Sequence, residues 1–442
     1  MSSNAPALPL NGQRGIRGTF RALRYRNYRL WFYGQTISLI GTWMQTMAQQ
    51  VLIFRLTGSA AALGIVNFIA LIPLVPLSLW SGSIADRYPK RTIVLIAQIF
   101  MMFQALILAV LCWTEVVQVW HVYILSFVLG AVTAIELPAR QAFTVDLVEG
   151  KADLTNAIGL NSAMFNTART IGPALAGVVV AATGEGNAFF LNALTFIAVI
   201  ISLALMRNLP ASHKPLDAGV GTLAHMAAGL KFVLSQQVML VLVSLIAVSA
   251  FLSMPYNTLM PVFANRILAG SAQPVVSFFC DPQVGIFHCQ APDALPLGFL
   301  LTTVGIGAVI SAVFVASLPD RVGKGKLMTV GNLAFPVMLL IFAFSRSFLL
   351  SLAVMFFVGF SFVLQNALAN TLLQIVSPDE LRGRVMSMYT MTFQGMMRLG
   401  GLQAGFVADW LGASLSVALG AGLSLIYGAF VAIHYPAVRR LR

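Results

Sequence analysis

Residues 85–113 read ADRYPKRTIVLIAQIFMMFQALILAVLCW: an acid and three basic residues, then 22 residues (92–113) without a charge. A helix needs about 20 consecutive apolar residues to cross the hydrocarbon core of a bilayer, whereas a barrel strand alternates over about ten. The run is continuous, so it predicts a membrane-spanning helix that starts at a basic loop. Working outward, the same pattern predicts twelve spans, at 28–54, 62–82, 92–113, 119–140, 157–182, 187–207, 236–263, 297–318, 325–345, 348–371, 386–408 and 411–434. Of the 442 residues, 58% are hydrophobic and 9% charged, against about 25% charged in soluble domains. So few charges do not cover a water-facing surface. The predicted class is an all-α integral membrane protein, and soluble, disordered and disulfide-stapled secreted folds are excluded.

An even number of spans places both ends and every second loop on one side. Of 27 Lys and Arg, 22 fall on that side, three (Arg55, Arg266, Arg346) on the other, and Arg169 and Arg398 lie within spans. Basic residues concentrate in cytoplasmic loops, so both termini are expected in the cytoplasm. The net charge of +13 then faces anionic membrane lipid. Nucleic acid is not expected as a partner, because no basic stretch interleaves with stacking aromatics. Arg14, Arg17, Arg21 and Arg24 recur at helical spacing before span one, which predicts a short interfacial helix.

A Pro- and Gly-bearing stretch divides the spans six and six. The predicted organisation is a basic segment 1–27, a bundle 28–207, a linker 208–235, a bundle 236–434 with a long far-side loop 264–296, and a tail 435–442. The halves repeat. Gly64 precedes Asp86 by 22 residues, and Gly298 precedes Asp320 by the same 22. Each aspartate opens a basic loop, ADRYPKR (85–91) and PDRVGKGK (319–326). GAVTAIELPA (130–139) matches GFSFVLQNAL (359–368), so Glu136 corresponds to Gln365. RTIGPALAG (169–177) matches MRLGGLQAG (397–405). Parallel repeats of six helices imply two bundles about an axis along the membrane normal, with a site between them near the midplane.

These residues resemble the major facilitator superfamily of secondary transporters, whose motif G-x-x-x-D-R-x-G-R-R joins spans two and three. The chain has Gly82, Asp86, Arg87 and Arg91 in place and departs at Pro89 and Lys90; the second copy keeps Asp320, Arg321 and Gly323. FRALRYRNYRLWFYGQTISLIGTWMQ (20–45), LPARQAF (137–143) and NAIGLNSAMFNTARTIGPALAG (156–177) look like the bacterial efflux branch that includes enterobactin-type siderophore exporters. The resemblance implies two six-helix bundles in a bacterial inner membrane, working as a monomer. It also implies proton-coupled efflux of a small amphipathic compound, siderophore or drug-like, by alternating access. A latch follows by the same route. Asp86 would face the start of span eleven, Arg87 would pair with Asp146, and Asp320 would face the start of span five. Efflux relatives carry an Arg in span four where this chain has Ser126, so the usual proton relay is absent.

Ionisable side chains at bilayer depth cost about 2.5–3.5 kcal/mol on insertion scales, so each one needs a role. Glu136, Arg169 and Arg398 stand out. Glu136 is either a proton carrier held by Arg169 or a member of a permanent ion pair, with Arg140 at i+4 the competing partner. Arg398 suits either an anionic substrate or a structural role, snorkelling or bonding backbone carbonyls. Thr42, Gln45 and Gln49 on span one, Tyr256 and Asn257 on span seven, and Gln365, Asn366 and Asn370 on span ten are candidate cavity residues. Hydrogen bonding between helices is the competing role for each amide.

Cys280 and Cys289 share the far-side loop and are expected to form a disulfide; Cys112 is a membrane cysteine. The chain has no nucleotide-binding loop, no metal-spaced histidine cluster and no serine elbow. No enzyme activity, metal or cofactor is expected. A lipid scramblase or a receptor on the same fold is the second function class.

Overall fold

The computed structural model describes residues 20–209, 231–281, 285, 286, 288–319 and 322–441. Among the described residues it is helical throughout. Helices α1 (Arg26–Thr57), α2 (Ala60–Arg87), α3 (Lys90–Trp113) and α4 (Val119–Asp146) run back and forth through short turns. The next helical stretch, Lys151–Ala204, would reach about 80 Å if straight, more than twice a bilayer core. It folds back at Gly184, whose φ of 80° and ψ of 172° suit a residue without a side chain. Both limbs, α5 before Gly184 and α6 after it, meet the same end of α1. Tyr28 Oη donates to the carbonyl of Ala157 at 2.9 Å on one limb, and Gly34 abuts Ser202 on the other.

The second half comprises α7 (Gln237–Ile267), α8 (Ala294–Ala316), α9 (Lys324–Phe344), α10 (Phe348–Val376), α11 (Asp379–Leu411) and α12 (Ala413–His434). Eight helical stretches are long and apolar enough to cross a membrane by length and composition. One of these is the α5–α6 hairpin, which accounts for two spans, and α1, α2 and α11 complete the twelve. Helices extend past the apolar windows at the basic end, where α4 runs to Asp146 and α11 begins at Asp379. The faces sort as lipid demands. On α3, Ile96, Phe100, Phe103 and Ile107 are exposed at helical spacing, while Val94, Ala97, Ala105 and Leu108 are buried.

Two expectations are corrected. The stretch 264–280 is not loop: α7 continues to Ile267 through a widened turn, and a helix Ala269–Cys280 follows. Its Phe279 packs on Phe299 of α8, which gives this apolar stretch a surface to cover. Ahead of α1, Arg21–Arg24 form one 3-10 turn instead of an interfacial helix. Arg21 and Arg24 pair with Asp153, 1% exposed at the start of α5, and Tyr25 Oη donates to the same carboxylate at 2.8 Å. Residues 14–19 of that expectation lie outside the described residues.

Candidate functional site

The halves meet along two seams, α2 against α11 and α5 against α8, and glycine sets both. A methyl group on Gly64 would lie 2.6 Å from the carbonyl of Gly401. On Gly298 it would lie 2.8 Å from Cα of Gly177 and 3.1 Å from the carbonyl of Pro173. Gly64 and Gly298 are the repeat-related pair, so one contact is built twice about the pseudo-twofold axis. Only a missing side chain allows backbones this close. Toward the basic end the helices part. Gly159, on the same face of α5 as Pro173, and Gly383, on the same face of α11 as Gly401, have open space where a side chain would start. Among the described residues the seams are therefore shut at the far end and free of contact at these two glycines toward the basic end.

The far closure has further contacts between halves. Asp409 of α11 accepts from the backbone N–H groups of Ala60 (2.7 Å) and Ala61 (3.1 Å) and from Ser59 Oγ (2.5 Å). Arg266 Nη2 donates to the carbonyl of Gly58 at 2.7 Å, with its guanidinium over the ring of Phe54. At the other seam the N–H groups of Gln290 and Ala291 donate to the carbonyl of Ala181.

Within each half the expected polar residues form networks between helices. Gln45 Nε2 donates to Gln104 Oε1 at 2.9 Å and Gln45 Oε1 accepts from Asn192 Nδ2 at 2.6 Å, tying α1 to α3 and α6. Gln49 Nε2 donates to Ser126 Oγ of α4 at 2.8 Å. Thr42 bonds back to the carbonyl of Ser38. In the second half, Gln365 accepts from Asn332 of α9 at 2.9 Å and donates to Ser249 of α7 at 2.8 Å, where α7 widens into a π turn. Gln45 and Gln365, 5% and 2% exposed, are thus interhelical ties rather than open cavity wall. Asn366 accepts from Tyr389 Oη, Asn370 accepts from Gln374 at 2.6 Å, and Asn257 is half-buried beside Tyr256.

Glu136 occupies the place in α4 that Gln365 occupies in α10. It is 2% exposed, pairs with Arg140 Nε at 3.2 Å and accepts from Gln98 of α3 at 3.5 Å. Gln98 and Asn332 each stand 12 residues after the repeat aspartates Asp86 and Asp320. The two networks are one design, with a charged pair in the first half and neutral amides in the second. The repeat register was the signal that identifies Gln98 and Asn332. The expected pairing of Glu136 with Arg169 is not what the structure has, because Arg140 lies one turn along the same face of α4. Arg169 instead faces the other half, with its guanidinium 5.8 Å from the ring centre of Phe362 and beside Tyr256. Tyr256 packs edge-on against Phe335. Arg398 of α11 buries its Nη1, which has no hydrogen-bond partner among the described residues.

The latch residues are placed as follows. Gly82 and Asp86 fall in the last turns of α2, described for the backbone alone; Asp320 and Arg321 lie outside the described residues. Asp146 pairs with Lys90 at 2.8 Å and not with Arg87, which is exposed. Lys90 begins α3, which packs alongside α4 and brings the ammonium to Asp146 at that helix's last residue. Arg91 donates to the carbonyl of Ala204 at 3.2 Å, satisfying the end of α6. Cys280 and Cys289 are joined, with Cα atoms 5.2 Å apart. Sequence reasoning missed Glu185, 1% exposed at the α5–α6 turn and paired with Arg55 at 2.9 Å.

The family model for transmembrane secretion effectors, within the major facilitator superfamily, matches residues 17–277 and 286–440. The chain belongs to this family. Among relatives of this secretion-effector chain, the staphyloferrin A transporter of Staphylococcus aureus (strain NCTC 8325 / PS 47) is 26% identical over 87% of this chain and 90% of its own length. The multidrug efflux pump Tap of Mycolicibacterium fortuitum is 24% identical over 88% of this chain and 91% of its own. The solved structure of the nucleoside transporter NupG superposes with a TM-score of 0.68 at 16% identity, covering 93% of this chain and 99% of that one, and shows the shared fold. These relatives and neighbours are transporters, not enzymes.

Proposed function

We propose that this secretion-effector chain is a proton-coupled exporter of small amphipathic compounds, siderophore or drug-like, in a bacterial inner membrane. The basic end is the cytoplasmic side, on the strength of the 22-to-3 division of basic residues. The bundles 28–207 and 236–434 rock about the two glycine crossings, and one copy of the chain suffices. The arrangement described here is then open to the cytoplasm and shut outside. The latch of Asp86, Arg87, Asp320 and Arg321 would engage when the cytoplasmic side closes.

One observation carries the coupling. Glu136 is a carboxylate buried in a network whose repeat-related copy, around Gln365, is neutral and complete. The fold therefore does not need a charge there. Arg140, 23% exposed, connects Glu136 toward water at the cytoplasmic end. A buried carboxylate with such an outlet can take up and give back a proton as the seams open and close. The names of the relatives support export, as both are transporters or pumps of small molecules.

The test compares wild type with Glu136→Gln in inverted vesicles given an acid interior. Uptake of siderophores and drugs driven by the pH gradient is expected for wild type, with at least a hundredfold loss in the variant, in the range of an essential proton-transfer group. Equal rates in the two proteins would make Glu136 a structural residue. Uptake without a gradient, or lipid flipping alone, would favour the scramblase reading.

A further inference from the structure

Arg169 and Arg398 take corresponding places at the two seams. Arg169 lies four residues before Pro173 and Arg398 three before Gly401, the residues whose carbonyls meet Gly298 and Gly64. At 1.5 Å per residue both are about 5–6 Å on the cytoplasmic side of the crossing. They therefore sit at the closed end of the space that opens between the halves, one above each seam. Described carboxylates near the bundles are committed elsewhere: Glu136 to Arg140, Asp146 to Lys90, Asp153 to Arg21 and Arg24, Glu185 to Arg55, and Asp409 to the start of α2. No ion-pair partner of either arginine occurs among the described residues. Two guanidinium groups at this depth are costly unless something of opposite charge answers them.

What lies beside them is aromatic. From Phe362, under Arg169, a line of rings continues to Phe393 (centroids 6.2 Å apart) and Tyr389 (6.5 Å from Phe393). Because α11 begins at the cytoplasmic end, this line leads from the opening up to the arginines. We propose that the closed end of the cavity is an anion site, and that the compound exported carries a carboxylate or similar acidic group on a flat, apolar body. The guanidinium fork matches a carboxylate in two parallel hydrogen bonds. Phe393, the partly exposed ring of the line, accepts the remainder of the molecule, face on or edge on, with Phe362 and Tyr389 buried behind it. A free cation would meet the positive charge of an arginine above either seam and be rejected. This inference rests on the transporter reading and narrows its substrate class.

The test uses acid and amide pairs on the purified, detergent-solubilised full chain. Salicylate and benzoate are compared with salicylamide and benzamide, and with benzylamine as the cation, by thermal stabilisation and calorimetric titration. The acids are expected to stabilise the protein and the amides and amine not to. Arg398→Gln and Arg169→Gln are each expected to weaken acid binding by about tenfold or more, the worth of one charge-assisted pair. Arg398→Lys, which keeps the charge and the fold but loses the fork, is expected to fall between. Equal binding of acid and amide, no binding of any acid, or undiminished binding in the glutamine variants overturns the proposal. The vesicle assay separates the two readings. Gradient-driven export of a cationic dye with no acid binding removes the anion site and leaves the exporter. Acid binding intact with no gradient-driven export of any compound does the reverse.

Discussion

Asp409, on α11 of the second half, caps the first turn of α2 in the first half through the N–H of Ala60 at 2.7 Å. With Ala61 and Ser59 as further donors, the carboxylate satisfies groups that a helix start leaves free and answers its partial positive charge. The motif residue Asp86 is expected to do the same for α11 at the opposite end of the same seam. If it does, each end of the α2–α11 pair offers an acid to a helix start, one for each side of the membrane. An N-cap is worth about 1–2 kcal/mol, a factor of about 5–30 in an equilibrium. Asp409→Ala should shift the chain toward the outward-open arrangement by that factor. The check is the labelling rate of a cysteine at Val262, 6% exposed beside this contact, from outside the cell. An unchanged rate would show that the cap does not hold the gate.

Gly298 and Gly177 place the α5–α8 seam under a second, stricter constraint. A methyl group at Gly298 would meet backbone at 2.8 Å, and backbone has no rotamer by which to yield. Gly298→Ala should push the helices apart, leave insertion intact and reduce transport by tenfold or more, since overpacking costs about 1–3 kcal/mol. Gly159→Ala, in open space on the facing helix α5, is the control and should transport as wild type.

The spans, their number and the repeat were all legible in the sequence, because continuous apolar runs and a duplicated G…D spacing need no knowledge of packing. Gly64 and Gly298 illustrate the limit of this, since their spacing marked them as repeat-related while their contacts across the two halves emerge only from packing. Partner choice was not legible. Gln45 and Gln49 sit four residues apart on one helix, yet one bonds toward α3 and α6 and the other toward α4. A membrane helix is apolar on every face, so its sequence lacks the polar stripe that would orient an amide. The choices of Lys90 over Arg87 for Asp146, and of Arg140 over Arg169 for Glu136, depend on how neighbouring helices turn. The helix Ala269–Cys280 escaped notice for a different reason. Its Gly270 and Pro274 mark a loop, and only the neighbouring α8 makes helix the better state.

The link between Cys280 and Cys289 closes a short stretch after a helix that is already anchored. Phe279 packs on Phe299, and Ser271 Oγ accepts from the N–H of Phe348 at 3.0 Å. Cys280→Ser should therefore speed proteolysis between positions 280 and 289 while leaving the thermal midpoint and transport unchanged. Peptide mapping without reductant should recover the linked pair from wild type, and two free thiols there would exclude the bond.

Removing either partner of the Glu136–Arg140 pair should have unequal consequences. Glu136 is 2% exposed, and beyond Arg140 it accepts from Gln98 at 3.5 Å, too long to carry a buried charge by itself. Arg140 is 23% exposed and has water within reach. Arg140→Ala leaves a buried carboxylate without its counter-charge, a change that costs about 3–5 kcal/mol when a buried pair is broken. Glu136→Gln leaves an amide that can still accept from Arg140 and bond Gln98, much as Gln365 does with Asn332 in the other half. Thermal unfolding in detergent should therefore show Arg140→Ala markedly destabilised and Glu136→Gln close to wild type. The double variant Glu136→Gln with Arg140→Ala, which resembles the second half at both positions (Gln365 and Ala369), should recover most of the lost stability while remaining uncoupled from the pH gradient. Two single variants equally destabilised, with no recovery in the double, would show that the pair is a fold element and not a site free to titrate.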